Sequence, residues 1–159
     1  MVRRVMLALA LTMLSGPAFS LSCMRPDAVW MLEYARDSED VYYVIKGRLT
    51  PTSAYTIPEP ENEGDSTADT PAMISGMGLG SRSFSVPVEI GATVRLSCLS
   101  VWCAGPPPED ELLMIVRKSD EELVLDVGPC GVTAIPWSVE AENRLLECHR
   151  SDKCERADF

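Results

Sequence analysis

The sequence predicts a mainly β protein: a small closed or partly open barrel of five or six short antiparallel strands, with a helix at each end and disulfide bracing. Three observations predict it. Segments rich in β-branched and aromatic residues recur at short intervals, broken by clusters of Gly, Pro and Ser. Helical spacing of apolar residues shows near the two ends of the domain. All six cysteines follow an N-terminal stretch laid out as an export signal.

That stretch comes first. Arg3 and Arg4 make a positive start, and Val5 to Leu14 is apolar and uncharged. Gly16 and Pro17 then interrupt any helix, and the small residues Ala18 and Ser20 stand three and one before Leu21. This is the pattern of a secretory signal over residues 1–20, which leaves Leu21 first. A cut after Ser22 also satisfies the small-residue requirement and would leave Cys23 first. A lipoprotein signal fits poorly, because Ser20 stands where a leucine-like residue belongs. The apolar run is shorter than the roughly 20 residues that a spanning helix needs. Taking 20 residues from 159 leaves 139, the size of one domain, 21–159.

Pro26 and Asp27 open a helix through about Asp37, with Ala28, Met31, Leu32 and Ala35 on its apolar face. VYYVIKGRLT, Val41 to Thr50, reads as a strand, and Gly47 within it suggests a bulge or sharp bend. From Pro51 to Ser81 the composition turns to Pro, Ser, Thr, Gly and acids, and no period survives. This predicts a long mobile loop at about 51–81, from which Pro58 to Thr70 could be deleted without loss of the fold. SFSVPVEI alternates as a half-buried strand, and Pro87 assigns it to a sheet edge or a bulge. Gly91 turns the chain, and Thr93 to Leu99 forms the next strand. ELLMIVRK and ELVLDV make a hairpin through Ser119, Asp120 and Glu121. Ser138 caps a last helix to about Cys148, with Glu140 and Glu142 near its positive end and Ala141, Leu145 and Cys148 on one face. The sequence contains no internal repeat.

Formal net charge is −10 at pH 7, or −12 once the two signal arginines are removed. So acidic a surface disfavours nucleic acid and anionic membranes as partners. An even cysteine count in an exported chain reads as disulfides, and six cysteines allow fifteen pairings. Spacing narrows them in part. Cys98 with Cys103, and Cys148 with Cys154, can close small loops, the second making a bridged tail at 148–159. That choice leaves Cys23 to reach Cys130.

Catalytic signals are sparse. His149 is the one histidine; a Ser/His or Cys/His mechanism needs it beside a nucleophile and an orienting acid, and the sequence contains no G-x-S-x-G. Cys148, His149 and Cys154 could join Cys98 and Cys103 at a metal, but the spacing is looser than zinc sites use and export favours oxidation. No catalytic residue, metal or cofactor is assigned. Trp102 lies inside the Cys98–Cys103 loop, where it is either a rigid binding anchor or a core residue.

Strand ATVRLS, Cys103 to Gly105, an acidic turn, the two strands above and PCGVTAIPWSVEAENRLL form one pattern. It resembles the N-terminal domain of the tissue inhibitors of metalloproteinases and the netrin-like modules that share its fold, as an exported bacterial member. That family opens with a cysteine-bearing segment, a helix and a strand like VYYVIKGRLT. It closes its barrel with a cysteine after the last strand, then Pro-Trp and a helix, and Cys130, Pro136 and Trp137 match this motif. The resemblance covers most of residues 21–148. It implies a five-stranded OB-like barrel and a Cys23–Cys130 bridge. It also implies that Met24, Arg25 and the Cys98–Cys103 loop share one rim, with Trp102 as apolar anchor and Arg25 as a positive point. The inhibitors begin with Cys-x-Cys and bind the protease zinc through the first cysteine's amine and carbonyl. This chain has Cys23 alone there.

The expectation is therefore a secreted or periplasmic, monomeric, non-enzymatic binding module. It contacts a protein or a cell-envelope component and does not enter the membrane after signal cleavage. The alternatives are a metalloprotease inhibitor acting through an N-terminal Cys23, and a metal-binding or structural envelope protein using Cys148 and His149.

Overall fold

A computed structural model describes Cys23 and residues 25–61, 64–120 and 122–156. The expected signal at 1–20, the candidate first residue Leu21, and Met24 lie outside the described residues.

Helix α1 spans Ala28–Asp37 and starts at Asp27, whose carboxylate accepts from the N–H groups of Val29 (2.9 Å) and Trp30 (3.1 Å). These bonds satisfy two of the amides that a helix start leaves unpaired. Seven strands follow: β1 Val41–Pro51, β2 Asp65–Leu79, β3 Phe84–Leu99, β4 Trp102–Cys103, β5 Leu112–Lys118, β6 Leu123–Val127 and β7 Ala134–Pro136. Helix α2, Val139–Ser151, begins at Ser138, whose hydroxyl accepts from the Ala141 N–H.

Five strands close a ring in the order β1-β2-β3-β6-β5, and β5 pairs back to β1. The chain is a mainly β, OB-like barrel flanked by two helices and braced by three disulfides. One pairing departs from the all-antiparallel expectation: β3 and β6 run parallel, from Thr93↔Val124 to Leu96↔Val127. The expected β5–β6 hairpin is present, with Lys118 opposite Leu123.

The mobile loop expected at 51–81 needs correction. Residues 65–79 are β2, a fifteen-residue strand paired along its length with β3 and along half of it with β1. Its inward residues include Thr70, Ala72 and Ile74, all buried. The described residues 52–61 that precede β2 are irregular, and they too are fastened. The Thr56 N–H donates to buried Thr70 Oγ1 at 2.9 Å, and Ser66 Oγ donates to the Glu59 carbonyl at 2.6 Å.

Two glycine readings also change. Gly91 does not turn the chain but pairs with Met73 within a continuous β3. Gly47 makes no bulge; it stands opposite Gly76 in unbroken register. A Cβ on Gly76 would meet the Lys46 carbonyl oxygen and lie 2.6 Å from the Gly47 Cα. The pair therefore serves a close backbone approach. Pro87 sits where β3 has passed beyond β6, so it has a partner strand on the β2 side, as a strand proline requires.

Apolar residues sort into two layers. Ile45, Ile74, Val94, Leu96, Leu112, Met114 and Leu125 fill the barrel. Met31, Leu113, Ile115, Leu145 and Leu146 pack the helices against its outside. Both faces of β5 are thus covered, which explains its unbroken run LLMIV.

Candidate functional site

The three bridges are Cys23–Cys130, Cys98–Cys103 and Cys148–Cys154. Two of them gather at one end of the barrel, where β1, β3 and β6 finish. β3 turns there through Ser100 and Val101 into β4, so that Leu99 faces Trp102 and Cys98 faces Cys103. Ser100 takes a left-handed φ of 55°, and its N–H donates to the Gly64 carbonyl at 3.0 Å. Cys98 is buried, so the bridge roots this hairpin in the barrel core. Beyond the bridge, Leu99, Val101 and Trp102 are 51, 56 and 40% exposed. Trp102 belongs to neither core layer, which disposes of the core alternative for it. Leu99 and Val101, its companions, went unnoticed as site residues. The signal was present in CLSVWC, where a bridge spaced this closely has no room to bury every side chain.

Cys130 lies just past the end of β6, and Ser97 Oγ of β3 donates to the Val127 carbonyl at 3.4 Å. The Cys23–Cys130 bridge is therefore at the same end as the exposed hairpin. Arg25 is exposed beside Cys23. Of the expected rim, Arg25, Trp102 and the two bridges share this end, and Met24 is outside the described residues.

The opposite end opens into a cavity of about 670 Å³. Its shape follows from the pairing pattern. β1 joins β2 only from Ile45 onward, whereas β5 accompanies β1 from Val41. The β2–β3 hairpin also runs past the barrel as far as Leu79↔Phe84. A gap remains between the start of β1 and this overhang. Ile45, Val88, Ile90 and Leu123 line it on the barrel side, and Leu32 and Ala35 on the helix side.

His149, on α2, is half-buried at this gap. Its Nε2–H donates to the Gly80 carbonyl at 3.0 Å, and Nδ1 accepts from Arg36 Nη2 at 3.4 Å. Arg36 in turn lies 3.6 Å from Asp152 and bonds the His149 carbonyl. The imidazole thereby ties the overhang to both helices. Both its nitrogens are committed, and Cys148 and Cys154 are oxidised, so this trio offers a metal no thiolate. Among the described residues, no group of three or more His, Cys, Asp or Glu side chains is placed to hold a metal ion.

Tyr42 also borders the cavity. Burial, then its hydrogen bond and contact with Tyr34, then Asp126 and Asp40, push its hydroxyl up to about 12. It therefore stays neutral. Elsewhere Asp27 links the helices, accepting from Arg144 at 2.7 Å. Burial alone would raise its carboxyl, but the Trp30 N–H, the Arg144 guanidinium and the Val29 N–H outweigh this and hold it below the usual range. Trp137 donates its indole N–H to Glu142 at 2.7 Å, and Lys46 lies 5.3 Å above its ring, which seats the start of α2 on β1.

Compared with known proteins, the chain matches no family model, no curated protein and no solved structure. Among the described residues, no helix is long and apolar enough to cross a membrane.

Proposed function

We propose that the protein is an exported, non-enzymatic binding module of the metalloproteinase-inhibitor and netrin-like kind. It engages a protein of the cell envelope or its surroundings through the disulfide-braced rim. The observation that carries this reading is the hairpin at Leu99–Trp102. Three adjacent apolar side chains are held out to solvent on a turn that a disulfide keeps rigid. A rigid aromatic loses little conformational freedom on binding and makes an effective anchor. Arg25 supplies a positive point on an acidic chain. Three disulfides suit an oxidising compartment, which is consistent with export.

The test uses the secreted protein, immobilised, against envelope and culture-fluid fractions. Trp102→Ala and Leu99→Asp should each abolish capture of the same species while leaving Tm nearly unchanged. A collapse of Tm in Trp102→Ala would mean a buried role, since truncating a core Trp costs about 3–5 kcal/mol. Undiminished capture by both variants would remove the rim from consideration.

The inhibitor reading keeps one observation in its favour: the exposed Cys23 is bridged to Cys130 beside this hairpin. It requires Cys23 as the first residue. N-terminal sequencing of secreted material decides that point, and zinc-protease inhibition by material beginning at Cys23 decides the activity.

A further inference from the structure

We propose that the cavity at the open end of the barrel binds a single-chain fatty acid, with the acyl chain inside and the carboxylate at Lys118. This site is separate from the rim argued above.

The cavity, about 670 Å³, lies within the range of roughly 300–1,000 Å³ typical of small-ligand sites. Its depth is apolar on both sides: Ile45, Val88 and Ile90 from the barrel, Leu32 from α1. The charged liners are Arg36 and Lys118, and no described carboxylate lines the cavity. That is notable in a chain with 24 acidic and 14 basic residues. The bias selects an anion with an apolar body.

The position of the ammonium selects the kind of anion. Leu112, Met114 and Val116 form the inward row of β5, and Lys118 continues it at the mouth. Its neighbour Glu122 is engaged elsewhere, accepting from Thr93 Oγ1 at 2.6 Å and lying 3.8 Å from Arg95. Arg36 is committed to Asp152 and His149. Among the described residues Lys118 has no ion-pair partner. One ammonium at the end of an apolar column suits a monoanionic carboxylate better than a doubly charged phosphate.

The test titrates the oxidised, secreted protein with saturated fatty acids of increasing length, the matched fatty alcohols, and a lysophospholipid, by calorimetry. Affinity for the acids should rise about fourfold per added methylene, the increment for burying one CH₂, until the cavity is full. The alcohols should bind at least tenfold more weakly. Lys118→Glu should erase the preference for acid over alcohol, and Lys118→Arg should restore it. Ile90→Trp, which fills the cavity, should abolish binding of both with the melting transition retained. Absence of saturable binding, equal affinity for acid and alcohol, a preference for the lysophospholipid, or indifference to Lys118→Glu would each overturn the proposal. Should Ile90→Trp fail to fold, the Lys118 pair still decides it.

Discussion

Replacing Cys23 and Cys130 together by alanine measures how far one cross-link holds this domain. The bridge joins residues 107 apart in sequence, whereas Cys98–Cys103 and Cys148–Cys154 span 5 and 6. In the chain-entropy account, a cross-link stabilises by restricting the unfolded ensemble, and the effect grows with the logarithm of loop length. For the long loop this comes to about 4.7 kcal/mol, and for each short loop to about 2 kcal/mol. At roughly 3 °C per kcal/mol for a chain of this size, Tm should fall by about 14 °C in the first case. The fall should be about 6 °C when Cys98 and Cys103 are replaced instead. Alanine is the suitable replacement because Cys98 is buried and a serine hydroxyl would need a partner there. Calorimetry under non-reducing conditions gives both values. Urea unfolding adds a second signature: freeing the long loop lets the unfolded chain expand, so the m-value should rise for the Cys23–Cys130 variant. The reasoning fails if that variant loses no more stability than the Cys98–Cys103 variant.

Asp27→Asn keeps a capping acceptor on α1 but removes the charge that meets Arg144, and should cost about 2 kcal/mol near neutral pH. Because the folded state holds this carboxyl low, its contribution is complete above the unfolded value of about 3.9 and is lost as pH falls through the folded one. The gap between wild type and variant should therefore be constant from neutrality down to about pH 5 and close in more acid solution; a gap that widens on acidification would contradict the assignment. Gly76→Ala forces a methyl onto the β1 backbone and should destabilise by about 3 kcal/mol, the upper end for overpacking, as read by urea titration. Gly105→Ala, which meets no atom within 4 Å, is its near-neutral control. Deleting 58–70 removes residues 65–70 of the fifteen-residue β2 with their pairs to β3, so the product should show no cooperative transition; a normal melt would mean that this part of the strand is dispensable.

The parts legible in the sequence are those whose side chains announce their surroundings. Asp27 and Ser138 at helix starts, the alternation of SFSVPVEI, and the unbroken LLMIV each reflect one local environment. The three pairings were legible because two loops are short enough to close locally, and pairing those four cysteines leaves Cys23 for Cys130. β2 was illegible because, apart from Ile74, its inward row from Thr70 to Gly78 is built from small or polar residues, Thr70, Ala72, Gly76 and Gly78. Where strands approach as closely as Gly47 and Gly76 do, a large apolar residue does not fit, and hydropathy then reads the strand as a loop. The cavity was invisible for a different reason. It arises from where pairings stop, at Ile45 on β1 and Thr93 on β3, and no single residue carries that information. Lys118 reads as an ordinary strand-end charge until β1, β3 and α1 are assembled around it.

The ring topology also sets an order of assembly. β2 and β3 are chain neighbours and can zip together early, whereas the seam between Val41 and Lys118 must wait until most of the chain is in place. Cys98–Cys103 and Cys148–Cys154 can oxidise as soon as their own short segments form. Cys23 meets Cys130 only when the N-terminal segment and the end of β6 have been brought to the same rim, so this bond records completion of the barrel. An early, wrong partner for Cys23, such as Cys98 or Cys103, would tether the N-terminal segment away from its place and leave the seam open. Release from such a partner would need attack by a free thiolate on the wrong disulfide, a step that takes seconds to hours.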